Sequence, residues 1–233
     1  PQTTAQETRT PPAMEQPQPA QLRMVFTFVG DCTFGGSQAN AYAGYGFLKT
    51  VGEDYDYPFR NVRSWFENDD FTMANLEGVL GDKGHPAEKR YTFRGPASYA
   101  NILTQNSVEA VTLANNHTMD YGSQGYASTR RALTNAGVAY TDADTLLIVE
   151  KDGQRVGFTS SVFSSENGLK KRLTRQAALL RQLGCGAVVH LMHAGTEYKA
   201  RYSARQKGIA QAAIQAGADL VVGCHPHVAQ GVE

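Results

Sequence analysis

Cysteine is scarce: Cys32, Cys185 and Cys224 are the only three in 233 residues. An odd number with no C-x-x-C spacing indicates neither a disulfide framework nor a zinc knuckle. No sign of charge dominates either, with 22 basic and 22 acidic residues. A dedicated nucleic-acid binder carries a basic excess on one face, so that class is set aside. Long apolar runs are missing too, and nothing approaches the ~18 residues of a membrane span. What the chain does have is 41% hydrophobic residues. A body of this size buries roughly 70–75% of its unfolded surface, which is enough to fold without a disulfide or structural metal.

The apolar residues are unevenly spread. The first 21 positions hold five Pro, five Gln and four Thr, and no Ile, Leu, Val, Phe, Tyr or Trp. Such a stretch cannot offset the entropy of ordering its backbone, so residues 1–22 are expected to be a disordered linker. Residues 23–233 form the folded domain, opening on Met24-Val25-Phe26-Thr27-Phe28-Val29. The chain begins at Pro1 rather than Met, so a signal or anchor is expected upstream of it. The Pro/Gln/Thr composition fits a cell-surface stalk, but taken alone it favours an ordinary floppy terminus.

Short apolar strands then alternate with helical stretches. Strands are expected at Met24–Val29, Phe71–Asn75, Val108–Ala114, Leu146–Glu150, Val156–Ser160, Ala187–Met192 and Asp219–Val222. Lys151-Asp152-Gly153-Gln154 reads as a tight hairpin turn. Helices are expected after Asp56 and after Gly95, with Pro58 and Pro96 near their first turns. Others cover Gln124–Ala136, Leu169–Leu183 and Ser203–Ala216, with Gly137 and Gly217 placed to end two of them. The pattern predicts an α/β domain with a largely parallel sheet.

Ligands in such folds bind outside the carboxyl ends of the strands. Here those ends carry Asp31, Asn75-Leu76-Glu77, Asn115-Asn116-His117, His193 and Cys224-His225-Pro226-His227. Carboxylate, carboxamide and imidazole together suit Mn, Fe or Zn. His190 stands three residues before His193 on one strand, on the opposite face, and is expected to be a hydrogen-bonded core histidine. Pro226 is expected to hold His225 extended, so that His225 and His227 project to one side. Lys89, Arg90 and Arg94 read equally well as an anion-binding group or as a solvated loop. Lys170-Lys171-Arg172 with Arg175 reads first as an exposed helix face, although such a face attracts polyanions.

These segments resemble the CapA family, the poly-γ-glutamate capsule biosynthesis proteins CapA and PgsA. The motifs are Val29-Gly30-Asp31, Ala74-Asn75-Leu76-Glu77, Leu113-Ala114-Asn115-Asn116-His117-Thr118-Met119-Asp120-Tyr121-Gly122, His193-Ala194-Gly195-Thr196-Glu197-Tyr198 and the run from Gly217 to Gln230. They occur in the family's order and span nearly the whole globular part. The resemblance implies a calcineurin-like metallophosphoesterase fold, a β-sandwich core flanked by helices in four α/β/β/α layers. It also implies a Ser-Leu-Gly-Asn-Phe segment, which would lie beyond Glu233.

By the same resemblance Asp31, Glu77 and His227 would hold one divalent metal, and Glu77, Asn116, His193 and His225 a second. His117 would be the leaving-group acid, and Asn75, Glu197 and Tyr198 would contact substrate. Thr33 stands where the superfamily's Asp-x-His pair has its imidazole, and the bridging acid is Glu77 rather than Asp. One metal site is therefore favoured over two. The implied role is an extracytoplasmic, cell-surface phosphoesterase-like protein in capsule or poly-γ-glutamate synthesis or export, membrane-anchored through an N-terminal segment. Its partners would be an anionic polymer such as poly-γ-glutamate and membrane synthase subunits, with no nucleic acid. A non-catalytic accessory or polymer-binding subunit is the alternative, and a general secreted phosphatase a third.

Overall fold

The structure, a computed structural model, describes residues 23–37 and 46–233. The expected linker, residues 1–22, lies outside them. Two four-stranded sheets form the centre. The first runs in the order β1 (Phe26–Cys32), β2 (Phe71–Leu76), β5 (Ala110–Thr112), β6 (Ala139–Thr141), and every pairing is parallel. The second runs β10 (Leu220–Cys224), β9 (Ala187–His193), β8 (Gln154–Val162), β7 (Leu147–Lys151). Only the β7–β8 pairing in it is antiparallel. A small parallel pair, β3 (Val79–Leu80) with β4 (Arg94–Gly95), folds over the loop after β2.

Phenylalanine joins the two sheets. Phe158 of β8 is fully buried, with its ring 5.8 Å from Phe26, 6.4 Å from Phe28 and 6.1 Å from Phe71. Met73, Ala110, Val189 and Leu191 complete this layer. Contacts of this kind add ~0.5–1.5 kcal/mol per ring pair beyond the area they bury. Helices α3 (Ala100–Gln105) and α4 (Gly122–Ala136) pack on the first sheet, with α1 (Phe47–Val51) and α2 (Arg63–Glu67) beside them. The second sheet is covered by α5 (Glu166–Gln182) and α6 (Ala204–Gln215), through Leu169, Leu173, Ile209 and Ala213.

Several local devices match their sequence signals. The hairpin turns on Asp152 and Gly153, both at positive φ, as a two-residue primed turn requires. Gly137 ends α4 in the left-handed conformation. Ser203 and Gln206 form a reciprocal capping box at the start of α6.

Other expectations need correction. No helix follows Asp56 directly; residues 55–62 close successive turns, with Tyr57, Phe59 and Val62 bonded three residues back, and α2 begins only at Arg63. Pro58 has no N–H to give a helical ladder there. Helix α5 starts three residues before the expected Leu169, because Ser165 caps it through the Gly168 N–H. β1 runs three residues further than expected and β10 two, which carries Asp31 and Cys224 into the strands themselves. Arg172 does not stay on a solvated face: its guanidinium turns in and donates to the Ser160 carbonyl.

His190 is the core histidine that its position on β9 suggested. It is fully buried, with Nδ1 2.9 Å from Thr159 Oγ1 and Nε2 2.9 Å from Ser161 Oγ. Burial lowers its pKa from 6.5 to about 3. The unfolded chain takes up this proton near the ordinary value and the folded chain does not. The stability at stake is therefore intact above pH 6.5 and is lost as pH falls toward 3. Urea unfolding should show wild-type stability falling faster than that of His190→Asn between about pH 6 and 4, the difference approaching ~1.4 kcal/mol per pH unit.

Candidate metal centre

Parallel strands end on the same edge, and there the two sheets bring five chain segments together. Asp31 leaves β1, Glu77 follows β2, and Asn115, Asn116 and His117 follow β5. His193 ends β9, and Cys224 and His225 leave β10. Register sets some of these neighbours directly: Asp31 pairs with Asn75, and Cys224 with His193. All six residues expected to bind metal converge. His193 Nε2 lies 2.6 Å from Asn116 Oδ1 and 3.8 Å from Glu77 Oε1, and its Nδ1 lies 3.7 Å from Asp31 Oδ1. His227 Nδ1 is 3.0 Å from Asp31 Oδ2. The His193 and His225 rings are 4.7 Å apart, and those of His225 and His227 5.8 Å.

Asp31 beside His227, and Asn116 and Glu77 beside His193, are pairs within the two sets the resemblance implied. Two further, overlapping groups of donors can be read in the cluster. Ligand atoms of Glu77, His225 and His227 lie within 4.8 Å of one another, and so do those of Asp31, His193 and Cys224. Asn116 and His193 bond each other. With Asn116 Oδ1 accepting, Nε2 carries the proton and Nδ1 of His193 accepts from Asn75 Nδ2 at 3.2 Å, with Asp31 just beyond.

The geometry of His225 differs from expectation. Its φ is 103° and that of His227 is 56°, so neither is extended. This backbone is costly for L residues, and especially so before proline. Phe163 at 41° and Tyr198 at 59° share the left-handed region, so four of the six non-glycine residues at positive φ among the described residues border this centre. Surrounding bonds hold the strained loop. The His225 N–H donates to Asp31 Oδ2 at 3.1 Å, and the Tyr198 N–H to the Pro226 carbonyl at 2.8 Å. Gly195, at φ 141°, fits beneath it because a Cβ there would stand 2.7 Å from the Gln206 amide and 2.9 Å from Pro226.

Electrostatics single out Glu77. It is 1% exposed, and neither carboxylate oxygen has a hydrogen-bond partner. Burial first, and then Asp31, push its pKa up to about 8. Burial holds His193 and His225 below the usual imidazole range, against the pull of Asp31 and Glu197. Neutral imidazoles have a free lone pair, and His225 Nδ1 is itself buried and unpartnered. An unpaired carboxylate beside neutral imidazoles is a donor set suited to a divalent cation. The residues fit the metal that the motifs implied.

The other expected site residues fall around this set. Asn75 is buried, and its amide is already engaged: Nδ2 donates to Asp31 Oδ1 at 2.7 Å, and Oδ1 accepts from Asn115 at 3.0 Å. The same Nδ2 lies 3.2 Å from His193 Nδ1, so Asn75 positions both Asp31 and His193. Glu197 and Tyr198 are exposed on the rim, with the Tyr198 ring 6.0 Å from that of His227. His117 faces Glu77, its Nε2 3.8 Å from Oε1. Arg94 is engaged within the protein: its guanidinium lies 3.4 Å from the centre of the Tyr121 ring and donates to the Lys83 and Gly84 carbonyls.

Sequence reasoning missed the support behind His117. Asp120, fully buried, places Oδ2 2.8 Å from His117 Nδ1 and accepts there from the Phe93 N–H at 2.6 Å. Lys89 pairs with the other Asp120 oxygen and donates to the Asn116 carbonyl at 2.9 Å. The i,i+3 spacing of His117 and Asp120 was the signal available.

The class is thus an α/β protein with mostly parallel sheets, flanking helices and a candidate cation centre on the shared strand edge. A solved structure described as a novel phosphatase from Mycoplasma pneumoniae shares this fold, with a TM-score of 0.50 and 15% identity over 88% of this chain and 65% of that one. The profile of the family described as bacterial capsule synthesis protein PGA_cap matches residues 25–233, and the chain belongs to that family. It is 28% identical over 91% of its length to the capsule biosynthesis protein CapA of Bacillus anthracis. It is 27% identical over 89% of its length to the PGA biosynthesis protein CapA of Bacillus subtilis (strain 168). The chain spans 56% and 58% of those two relatives.

Cation uptake should release protons, because Glu77 in the cation-free protein holds its proton up to about pH 8. Apparent affinity for Mn²⁺ should therefore rise with pH and level off above that value. Calorimetry at pH 7 in buffers of different ionisation enthalpy should count about one proton fewer for Glu77→Gln than for wild type. Equal counts would show that Glu77 keeps its proton.

Proposed function

We propose that this domain is a metal-dependent, phosphoesterase-like hydrolase acting at the cell surface in the synthesis or export of poly-γ-glutamate or a similar capsule polymer. The observation that carries this reading is the buried, unpartnered Glu77 carboxylate enclosed by imidazoles. Asp31, Glu77, Asn116, His193, His225 and His227 are the residues that would hold or orient the cation. When bound, a divalent ion supplies Lewis acidity toward a phosphoryl group and an attacking water.

The chain's own residues would supply the proton. His117 gives Nδ1–H to Asp120, which fixes its tautomer and leaves Nε2 toward Glu77. Protonated at both nitrogens, the ring is stabilised by the Asp120 carboxylate and can deliver the Nε2 proton to a departing oxygen. Lys89 balances the charge of Asp120. Phe93, with its ring 4.4 Å from that of His117, covers one side and excludes water. Glu197 and Tyr198 would meet substrate at the rim. Attachment to a membrane would depend on chain outside the described residues, among which no helix is long and apolar enough to cross a bilayer.

A second reading, a non-catalytic accessory subunit that binds polymer or a membrane synthase, is favoured by Thr33, which removes one imidazole from the ligand set. The two readings diverge on turnover. Under the first, protein loaded with Mn²⁺ hydrolyses a phosphodiester, and His117→Asn lowers kcat by about 10²–10⁴-fold with metal content unchanged. Metal bound without turnover by wild type would favour the accessory role.

A further inference from the structure

Cys224 has no part in the ligand set that the motifs imply, yet it stands inside the centre. Its pairing partner in the β10–β9 register is His193, so the two side chains leave adjacent strands on the same face. Cys224 Sγ is 3.3 Å from His193 Nδ1, and Asp31 Oδ1 is 3.7 Å from the same nitrogen. Metal–ligand bonds of ~2.0–2.3 Å at tetrahedral angles place neighbouring ligand atoms roughly 3.3–3.8 Å apart. Both separations fall in that interval without rearrangement.

The tautomer of His193 agrees. Asn116 Oδ1, 2.6 Å from Nε2, accepts that N–H and leaves Nδ1 as the acceptor nitrogen. In the cation-free protein Nδ1 receives the Asn75 amide N–H at 3.2 Å, a bond that a metal would replace. A histidine ligand whose other nitrogen donates to a fixed oxygen is the usual arrangement at a metal site. The adjoining Glu77, 1% exposed and unpartnered at both oxygens, is an independent sign that this pocket takes a cation. Cys32 does not compete for it; its side chain belongs to the apolar cluster with Phe34 and Leu76.

We infer that Cys224 is a thiolate ligand, and that Asp31, His193 and Cys224 form a site for a thiophilic divalent cation such as Zn²⁺. The inference rests on the metal-centre reading above. It also accounts for Thr33: the imidazole missing after β1 is replaced by sulfur from the end of β10. On binding, the S–H bond breaks, a sulfur–metal bond forms, and the proton leaves to solvent. A thiol in the ligand set shifts preference from Mn²⁺ toward softer ions. The competing account is a thiol that burial and the neighbouring Asp31 keep neutral, donating its hydrogen bond to Asp31 or His193.

Co²⁺ distinguishes them. The full chain, stripped with a chelator, is titrated with Co²⁺ and followed by absorption in the near-ultraviolet and visible. A sulfur-to-cobalt charge-transfer band should grow with occupancy, persist in Cys32→Ser and Cys185→Ser, and vanish in Cys224→Ser while ligand-field bands remain. Zn²⁺ added to the wild type should bleach the band and protect Cys224 from alkylation, a readout that needs no variant. Ligand-field bands without a sulfur band in the wild type, or a band lost in Cys32→Ser instead, would overturn the inference and leave the metal centre standing. No cobalt binding at all would overturn both.

Discussion

A carboxylate buried without a hydrogen-bond donor is the constraint on which the centre turns. Glu77 sits at the end of a strand with six of six residues buried, where water cannot solvate its charge. Desolvating a carboxylate costs several kcal/mol unless an opposite charge answers it. Asp31 aggravates the problem, and the neighbouring His193 and His225 are kept neutral by their own burial. Imidazoles in that state serve as ligands rather than counter-ions. The cluster is therefore balanced only when it holds a proton on Glu77 or a cation among its donors.

The fold holds these donors together against local cost. Parallel pairing sends five strand ends to the site at one edge, and the Phe158 contacts fix the two sheets face to face. The loop that carries His225 and His227 is strained, and the bonds restraining it come from both sheets: Asp31 from the first, the 194–198 segment from the second. Gln206 extends that restraint to α6, since its amide caps the helix, donates to the Ala194 carbonyl and meets Gln230. Strain of this kind concentrates where ligands must be held ready.

Much of this was legible in the sequence, for identifiable reasons. Apolar runs located the longer strands, and polar residues at their ends located the site, because a parallel sheet leaves those ends on one side. His190 was separable from His193 by strand parity alone. Two-residue strands such as β3 and β4 carry no period to read, and β6 at three residues hardly more. Lys89 meets Asp120 across 31 positions of chain and so leaves no local trace. The backbone at His225 went against the preference that Pro226 imposes, since tertiary bonds to Asp31 outweighed it. Cys224 was set aside because cysteine spacing was judged along the chain, whereas its partner His193 lies on the neighbouring strand.

Anomalous diffraction from crystals of the full chain grown with Mn²⁺ or Zn²⁺ addresses the Glu77 account most directly. The account predicts an anomalous peak bonded to a Glu77 oxygen and to at least one of His193, His225 and His227. An empty cluster, with Glu77 bonded only to water or protein donors at saturating metal, would contradict it.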